Sequence, residues 1–400
     1  MKPVLSLGSF LSLKKCTTPS VLDAGLVVKV TSGRTAIALA LKHMGIAEGD
    51  EVLVPAYHCT SMIEPVVWSS AVPVFYRIKN DTSVDLDDLE KRISPASRAL
   101  LITHYFGFPQ NLSQLRAFCD KHKLVLIEDC AHSFFGEHNG RPLGSSGEYA
   151  ICSSMKFFPT YDGGCLISSR ANIKNIFLES ASLAFEVKAM INTLEHSLEY
   201  RRLNAIRYLL KIPLAVKDAF WKKLKSNRPD SSDEAIGPGA SEGAYEFDPR
   251  WLTTRMSAWS RTIMATTSSF RNVAQRRKNY LMLLQELSGL SGGTPLFPTL
   301  PEEVVPYVFP FRVDEPERVF PMLKQQGVPI LRFGEYLWPG VDSGTCPISI
   351  DFSRRIFQFP CHQELRDDEI AWMIACIRDA LYHHGMQPPH RANASHKASS

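Results

Sequence analysis

Between Gly25 and Asp129, short apolar runs alternate with segments of helical period, and this alternation constrains the fold most. Gly25–Val30, Glu51–Pro55, Val72–Ile78, Ala99–Thr103 and Leu124–Ile127 read as strands. Between them, Ile37, Leu39, Leu41 and Met44 recur at helical spacing, and so do Leu112, Leu115 and Phe118. Strands that are apolar throughout and alternate with helices build a mostly parallel sheet with both faces covered. The expected fold class is therefore α/β.

Composition narrows the function classes. At 400 residues the chain is long enough for two domains. Its 44% hydrophobic and 22% charged residues are ordinary for a globular protein. A formal charge of +4 is small for this length and gives no case for a nucleic-acid partner. Nine cysteines without C-x-x-C spacing argue against a zinc site or a disulfide framework and fit a reducing compartment. Met1–Lys15 lacks a continuous apolar core and a cleavage site, and no stretch holds 18 apolar residues. The expected location is the cytoplasm, with no membrane insertion and no metal.

In open parallel sheets, ligands bind beyond the carboxyl ends of the strands. The Ser32-Gly33 turn, His58, His104, Asp129 and His132 fall there. A small-residue turn that opens a helix suits a phosphate, because free N–H groups and the helix dipole both favour an anion; a plain N-cap is the alternative. No G-x-G-x-x-G follows the first strand and no P-loop is present, which excludes the usual dinucleotide and nucleoside-triphosphate folds.

Lys156 stands out in Ser153-Ser154-Met155-Lys156-Phe157-Phe158-Pro159-Thr160-Tyr161-Asp162-Gly163-Gly164, between the strand-like runs Tyr149–Ser153 and Cys165–Ile167. Desolvation disfavours a charged ammonium, and a neutral amine is a nucleophile. The cofactor that most often uses such a lysine is pyridoxal phosphate. A lysine that snorkels from a strand end is the bland alternative.

Farther on, Ile173–Leu224 is basic and helix-favouring, and Ser226–Tyr245 reads as a polar loop. A long helix is expected over Ser257–Leu287. Strands are expected at Val308–Val313, Gly327–Ile330 and Ile356–Phe359, with helices at Glu315–Gln326 and Asp367–Leu381. The division expected is a large domain over 1–255 with an insertion at about 175–250, a linker helix and smaller α/β domain over 256–385, and a disordered tail over 386–400.

Several motifs together resemble one family. Ser32-Gly33-Arg34-Thr35-Ala36-Ile37 is similar to a phosphate turn S-G-T-x-A-L, and Gly49–Pro55 to G-D-E-V-I-V-P. Ile127-Glu128-Asp129-Cys130-Ala131-His132 is similar to I-E-D-A-A-Q/H, and Asn139–Gly144 to K-G-R-x-x-G. Arg255-Met256-Ser257 resembles R-M-S, and Phe359–Leu365 resembles L-P-L-H-P-E-L. In this order they resemble the DegT/DnrJ/EryC1/StrS sugar aminotransferases, of the aspartate-aminotransferase-like fold (pyridoxal phosphate fold type I). The resemblance covers about Thr31–Ser169 and Trp251–Leu381.

The resemblance implies an enzyme that uses pyridoxal phosphate to move an amino group, from glutamate, to the keto group of a nucleotide-linked sugar. The product would feed a polysaccharide or glycoside. Lys156 would bind the cofactor's aldehyde and Asp129 its pyridine nitrogen. Gly33, Arg34, Thr35 and Ser153 (or Ser154) would hold its phosphate. His58 would stack on its ring, with Tyr57 as competitor, and His132 would reach its phenolic oxygen or serve a structural role. Arg332, Tyr336 and Trp338 fall in a stretch that resembles a substrate-facing loop. The implied partners are a small-molecule amino donor, a keto-sugar acceptor and a second copy of the chain in a homodimer.

Three features depart from the family's pattern. The lysine motif is short, Thr253 stands where an asparagine is usual, and the segments around the expected substrate pocket differ in length. Two other readings stand beside the leading one. The first is a pyridoxal-phosphate dehydratase or lyase, although relatives of that kind carry histidine in place of lysine. The second is a non-catalytic relative that docks through the basic stretch Lys211–Lys225.

Overall fold

The computed structural model describes residues 2–11, 14–203 and 247–382. The stretches Lys211–Lys225, Ser226–Tyr245 and 386–400 singled out above lie outside the described residues. Nine strands precede residue 170: β1 Leu26–Val30, β2 Glu51–Pro55, β3 Val72–Tyr76, β4 Ser97–Thr103, β5 Val125–Asp129, β6 Glu137–His138, β7 Arg141–Pro142, β8 Tyr149–Cys152 and β9 Gly164–Ser168. Seven form one sheet in the order β1-β9-β8-β5-β4-β2-β3, while β6 and β7 make a small hairpin. The pairs β2/β3, β2/β4, β4/β5 and β5/β8 are parallel; β8/β9 and β1/β9 are antiparallel. The helices Gly33–His43, Thr60–Trp68, Leu86–Arg92 and Leu112–His122 connect the first five strands. Parallel pairing requires such crossovers.

Strand side chains alternate between two cores. Val52, Val54, Leu101 and Ile127 pack with Ile37, Leu41, Ile63 and Val66 of the first two helices. Leu53, Leu100, Ile102 and Leu126 point the other way, into a core shared with Val308, Phe333 and Ile356. These last residues come from the second sheet or its borders. That sheet contains β10 Gly293–Pro295, β11 Val308–Val313, β12 Leu331–Arg332 and β13 Ile356–Pro360, in the order β10-β11-β13-β12, antiparallel throughout. The helices Ser269–Leu287, Pro316–Gln325 and Asp367–Tyr382 bury Tyr280, Leu283, Leu323 and Ile374 with it.

Two expected elements differ. The strand expected at Gly327–Ile330 lies later, at Leu331–Arg332. Gly327 takes a φ of +85° just past the helix Pro316–Gln325, and Pro329 has no N–H to give a ladder. The long helix expected over Ser257–Leu287 is broken into Ala258–Thr266 and Ser269–Leu287. Thr267 is extended there, and the Ser268 N–H turns to the carbonyl of Ser9 at 2.9 Å. The Ser268 hydroxyl then accepts from the N–H of Arg271 at 3.2 Å and starts the second helix. The helix Pro347–Arg355 has no counterpart in the sequence reading.

The turn Asp162-Gly163-Gly164 locks the lysine segment against the first helix. The Gly163 N–H donates to the Thr31 carbonyl at 2.7 Å. A Cβ on Gly164 would lie 2.3 Å from the Ser32 carbonyl carbon and 2.6 Å from the Gly33 nitrogen. Only glycine permits that approach. Gly164→Ala is expected to cost about 2 kcal/mol or more of stability, because backbone has to move on both sides. Denaturant unfolding of the variant checks this, and wild-type stability would contradict it.

Candidate active site

The carboxyl ends of β4, β5 and β8 open onto one pocket. Its walls include Ser32, Gly33 and Arg34 from the first helix, Asp129 and His132 after β5, and Ser153 and Lys156 after β8. Six of the eight expected site residues thus come together: Gly33, Arg34, Asp129, His132, Ser153 and Lys156.

Ser32 caps the helix Gly33–His43, its hydroxyl accepting from the Thr35 N–H at 3.2 Å. The helix begins directly at the pocket wall, so its dipole favours an anion there. Arg34 is tied to the second helix by an ion pair with Glu64 at 3.0 Å.

Asp129 is the last residue of β5 and is buried. One carboxylate oxygen accepts from the Ala131 N–H at 2.8 Å. Burial pushes its pKa above the usual carboxylate value, and the charge of Lys156 opposes that rise. His132 is buried between rings, stacked on Phe106 at 5.7 Å and Tyr307 at 4.8 Å. Its Nδ1 accepts from the Phe106 N–H at 3.3 Å, which leaves Nε2 to carry the proton of the neutral ring. Burial, with the charge of Lys156 adding to it, holds its pKa well below the ordinary histidine value.

Lys156 is half-buried, with its Nζ 5.4 Å from the centre of the Tyr307 ring. Its backbone is held from behind. The fully buried Arg276 donates to the Lys156 carbonyl at 2.8 Å, to the carbonyls of Pro306 and Tyr307 at 3.3 and 3.0 Å, and to the side chains of Asn272 and Gln363 at 2.7 and 3.1 Å. Asn272 and Gln363 in turn donate to the Phe157 carbonyl at 2.8 and 2.9 Å. Burial lowers the Arg276 pKa to about 10. Asp162, also buried, accepts from the N–H and hydroxyl of Ser257 at 2.9 and 2.6 Å and from the Ser260 hydroxyl at 2.5 Å.

Two expected residues do not line the pocket. The Thr35 hydroxyl is buried against the Ser32 and Thr31 hydroxyls at 2.9 and 3.4 Å. His58 faces away: its Nδ1 sits 3.0 Å from the Pro55 carbonyl, and its Nε2 accepts from the Trp338 N–H at 2.9 Å. Its ring stacks on Phe75 at 5.2 Å, and burial lowers its pKa to about 4. With both nitrogens and a face engaged, His58 joins the second helix to the 331–338 stretch. Tyr57, the competitor, is packed among Tyr105, Phe333 and Phe352 and is also absent from the pocket walls. Of the two serines, Ser153 lines the pocket, and Ser154 lies under Gly163.

Cys59, Ser61, Met62, Thr103, Met155 and Phe333 also line the pocket, and sequence reasoning did not single them out for it. Thr103 carried a usable signal, since it ends a strand whose neighbour ends in Asp129. Phe333 carried none. Arg332 lines a separate surface groove with Glu317, Glu335 and Arg354, and Tyr336 is exposed. His104 is structural: its Nε2 pairs with Glu128 at 3.0 Å while its Nδ1 accepts from the Gln110 N–H at 3.1 Å.

Known proteins share this arrangement of elements. Residues 20–197 match the model of the DegT/DnrJ/EryC1/StrS aminotransferase family. The chain is similar to GDP-perosamine synthase of Vibrio cholerae, at 31% identity over 163 residues, 40% of this chain and 41% of that protein. It is similar to L-glutamine:2-deoxy-scyllo-inosose aminotransferase of Streptomyces kanamyceticus at 34% over 145 residues, covering 36% and 34%. A third relative, dTDP-3-amino-3,4,6-trideoxy-alpha-D-glucose transaminase of Streptomyces venezuelae, is 37% identical over 140 residues, covering 34% and 36%. The matched stretch thus spans about two-fifths or less of these relatives. Among solved structures, S. venezuelae DesV superposes with a TM-score of 0.60 at 22% identity, covering 89% of this chain and 85% of that one. Helicobacter pylori PseC, an aminotransferase of pseudoaminic acid biosynthesis, superposes with a TM-score of 0.64 at 16% identity, covering 90% and 88%. These identities show a shared fold. Over residues 20–197 the chain is similar to the DegT/DnrJ/EryC1/StrS aminotransferase family.

Proposed function

We propose that this chain is a pyridoxal-phosphate-dependent aminotransferase that moves an amino group from glutamate to a keto group of a nucleotide-linked sugar. One juxtaposition carries the reading: Lys156 and the buried carboxylate of Asp129 share a pocket with the N-terminus of the helix Gly33–His43. This donor set fits the cofactor group by group. An aldehyde calls for an amine, a pyridine nitrogen that must stay protonated calls for a carboxylate, and a phosphate suits a helix N-terminus.

When bound, the cofactor supplies an electron sink for the carbon that loses or gains the amino group. The residues do the rest. The Nζ of Lys156 would hold the aldehyde and would move a proton at the substrate carbon. Asp129, already buried, would pair with the pyridine nitrogen and so gain a second positive neighbour beside Lys156. Ser32, Gly33, Arg34 and Ser153 would surround the phosphate. The Nε2–H of His132 would be available to the ring's oxygen. The network around Arg276 fixes the peptide of Lys156, so the amine starts from a constrained backbone.

The acceptor class is supported by the names of the relatives, which include a GDP-sugar enzyme, a dTDP-sugar transaminase and a cyclic-ketone aminotransferase. Glutamine is the donor in one of those names, so glutamate and glutamine are tested together. Among the described residues no helix is long and apolar enough to cross a membrane. We place the enzyme in the cytoplasm as a homodimer, serving polysaccharide or glycoside synthesis.

Absorbance spectra of wild type and Lys156→Ala, recorded with pyridoxal phosphate before and after each donor, test the central assignment. Wild type is expected to show a long-wavelength band that shifts with the donor. Lys156→Ala should lack it and lose amino transfer by about 100-fold or more. No band in wild type at excess cofactor would reject the assignment. Sedimentation of the purified chain should give a dimer; a monomer at micromolar concentration would contradict the homodimer.

Asp129 gives a pH test. Its folded pKa lies above the ordinary value of 3.8, so the ligand-free fold is penalised as pH rises through that value and the carboxylate ionises. Asp129→Asn should therefore be more stable than wild type at neutral pH without cofactor. The gain should vanish well below pH 3.8, where both side chains are neutral. Equal melting temperatures at neutral pH would contradict this.

A further inference from the structure

One buried polar side chain of the pocket has no task in the scheme above. Thr103, the last residue of β4, lines the pocket and is only 3% exposed, and its hydroxyl has no hydrogen-bond partner among the described residues. Tyr57, Ser154 and Thr160 also bury unpartnered hydroxyls, but they do not line this pocket. A hydroxyl taken from water without a partner is unfavourable, and buried polar groups are nearly always paired. What fills the pocket is therefore the natural source of the missing partner.

The strand order indicates which part of the ligand that is. Thr103 pairs in register with Asp129 on β5, and Asp129 pairs with Ile151 on β8. The anion-suited wall, Ser32 to Arg34 with Ser153, belongs to the β8 and β9 side, where the helix Gly33–His43 packs. Thr103 lies on the other side of Asp129. A pyridoxal ring carries its phosphate arm on one flank of the ring and its methyl and 3-oxygen on the other. With the arm toward β8 and the nitrogen toward Asp129, the methyl and 3-oxygen edge turns to β4. A methyl group cannot accept a hydrogen bond, whereas the 3-oxygen can.

We propose that Thr103 is a cofactor-binding residue whose hydroxyl donates to the 3-oxygen of the pyridine ring. The proposal rests on the pyridoxal phosphate reading above. The oxygen has lone pairs for two donors, so the Nε2–H of His132 and the Thr103 hydroxyl can both be used. Thr103 thereby gives the end of β4 a direct part in holding the cofactor, beside the end of β5.

The test is a titration of cofactor-free wild type, Thr103→Val and Thr103→Ser with pyridoxal phosphate, read by absorbance and by tryptophan fluorescence. Valine keeps the shape of threonine and removes only the hydroxyl. The expected result is about tenfold weaker binding for Thr103→Val, with Thr103→Ser within about twofold of wild type. The melting temperature of cofactor-free Thr103→Val should not fall. Wild-type affinity in Thr103→Val would overturn the proposal and mean that water satisfies the hydroxyl. Equal weakening in the serine variant would also overturn it, since shape would then be responsible. Wild type that binds no pyridoxal phosphate would overturn the cofactor reading itself, and the proposal with it.

Discussion

A guanidinium without a carboxylate beside it is the point on which the site depends. Arg276 is fully buried, and its hydrogen bonds go to three backbone carbonyls and two amide side chains. Burying a charge this way is costly unless every donor finds an acceptor. Besides Asn272 on its own helix, the acceptors come from three parts of the chain: the lysine turn, the approach to β11, and the segment after β13. The cation therefore tolerates one arrangement of those parts, and the Lys156 peptide is one member of it. The stacking of Arg276 on the Phe157 ring, at 4.4 Å, closes the remaining face.

The first half of the chain was legible because its signals are local. Apolar runs of five or so residues, separated by helical periods, sufficed to locate β1 to β5 and the helices between them. One cap was readable as well: Ser32, a candidate cap in the sequence, stands where the helix Gly33–His43 begins. Asp129 and Lys156 could be singled out because each ends or follows a strand, and both line the pocket. His58 was misleading for the same reason. It follows a strand end, but the ring turns to Phe75 and to the Trp338 backbone, 280 residues away in sequence. No local pattern reports such a contact.

The second sheet was harder to read. β12 has two residues, and its placement depends on pairing with β13 rather than on its own pattern. The helix break at Thr267–Ser268 depends on a carbonyl from Ser9. Phe333 reaches the pocket because the 331–338 stretch crosses to the first sheet, where it meets Tyr57, Tyr105 and His132. Arg276 would pass in the sequence as one more cation of a basic helix. Its burial follows from three distant segments closing over it.

The same closure has a consequence for the order in which the protein is made. All the strands of the large sheet are present once residue 168 has left the ribosome, and that sheet carries Asp129, the Ser32–Arg34 turn and Lys156. The groups that fasten the lysine peptide come much later: Asn272 and Arg276, then Pro306 and Tyr307, and finally Gln363. Domains tend to fold as they are synthesised, N-terminal part first. A nascent chain therefore exposes a formed sheet and a slack lysine until Gln363 has been made, and the pocket acquires its back wall nearly two hundred residues after its front.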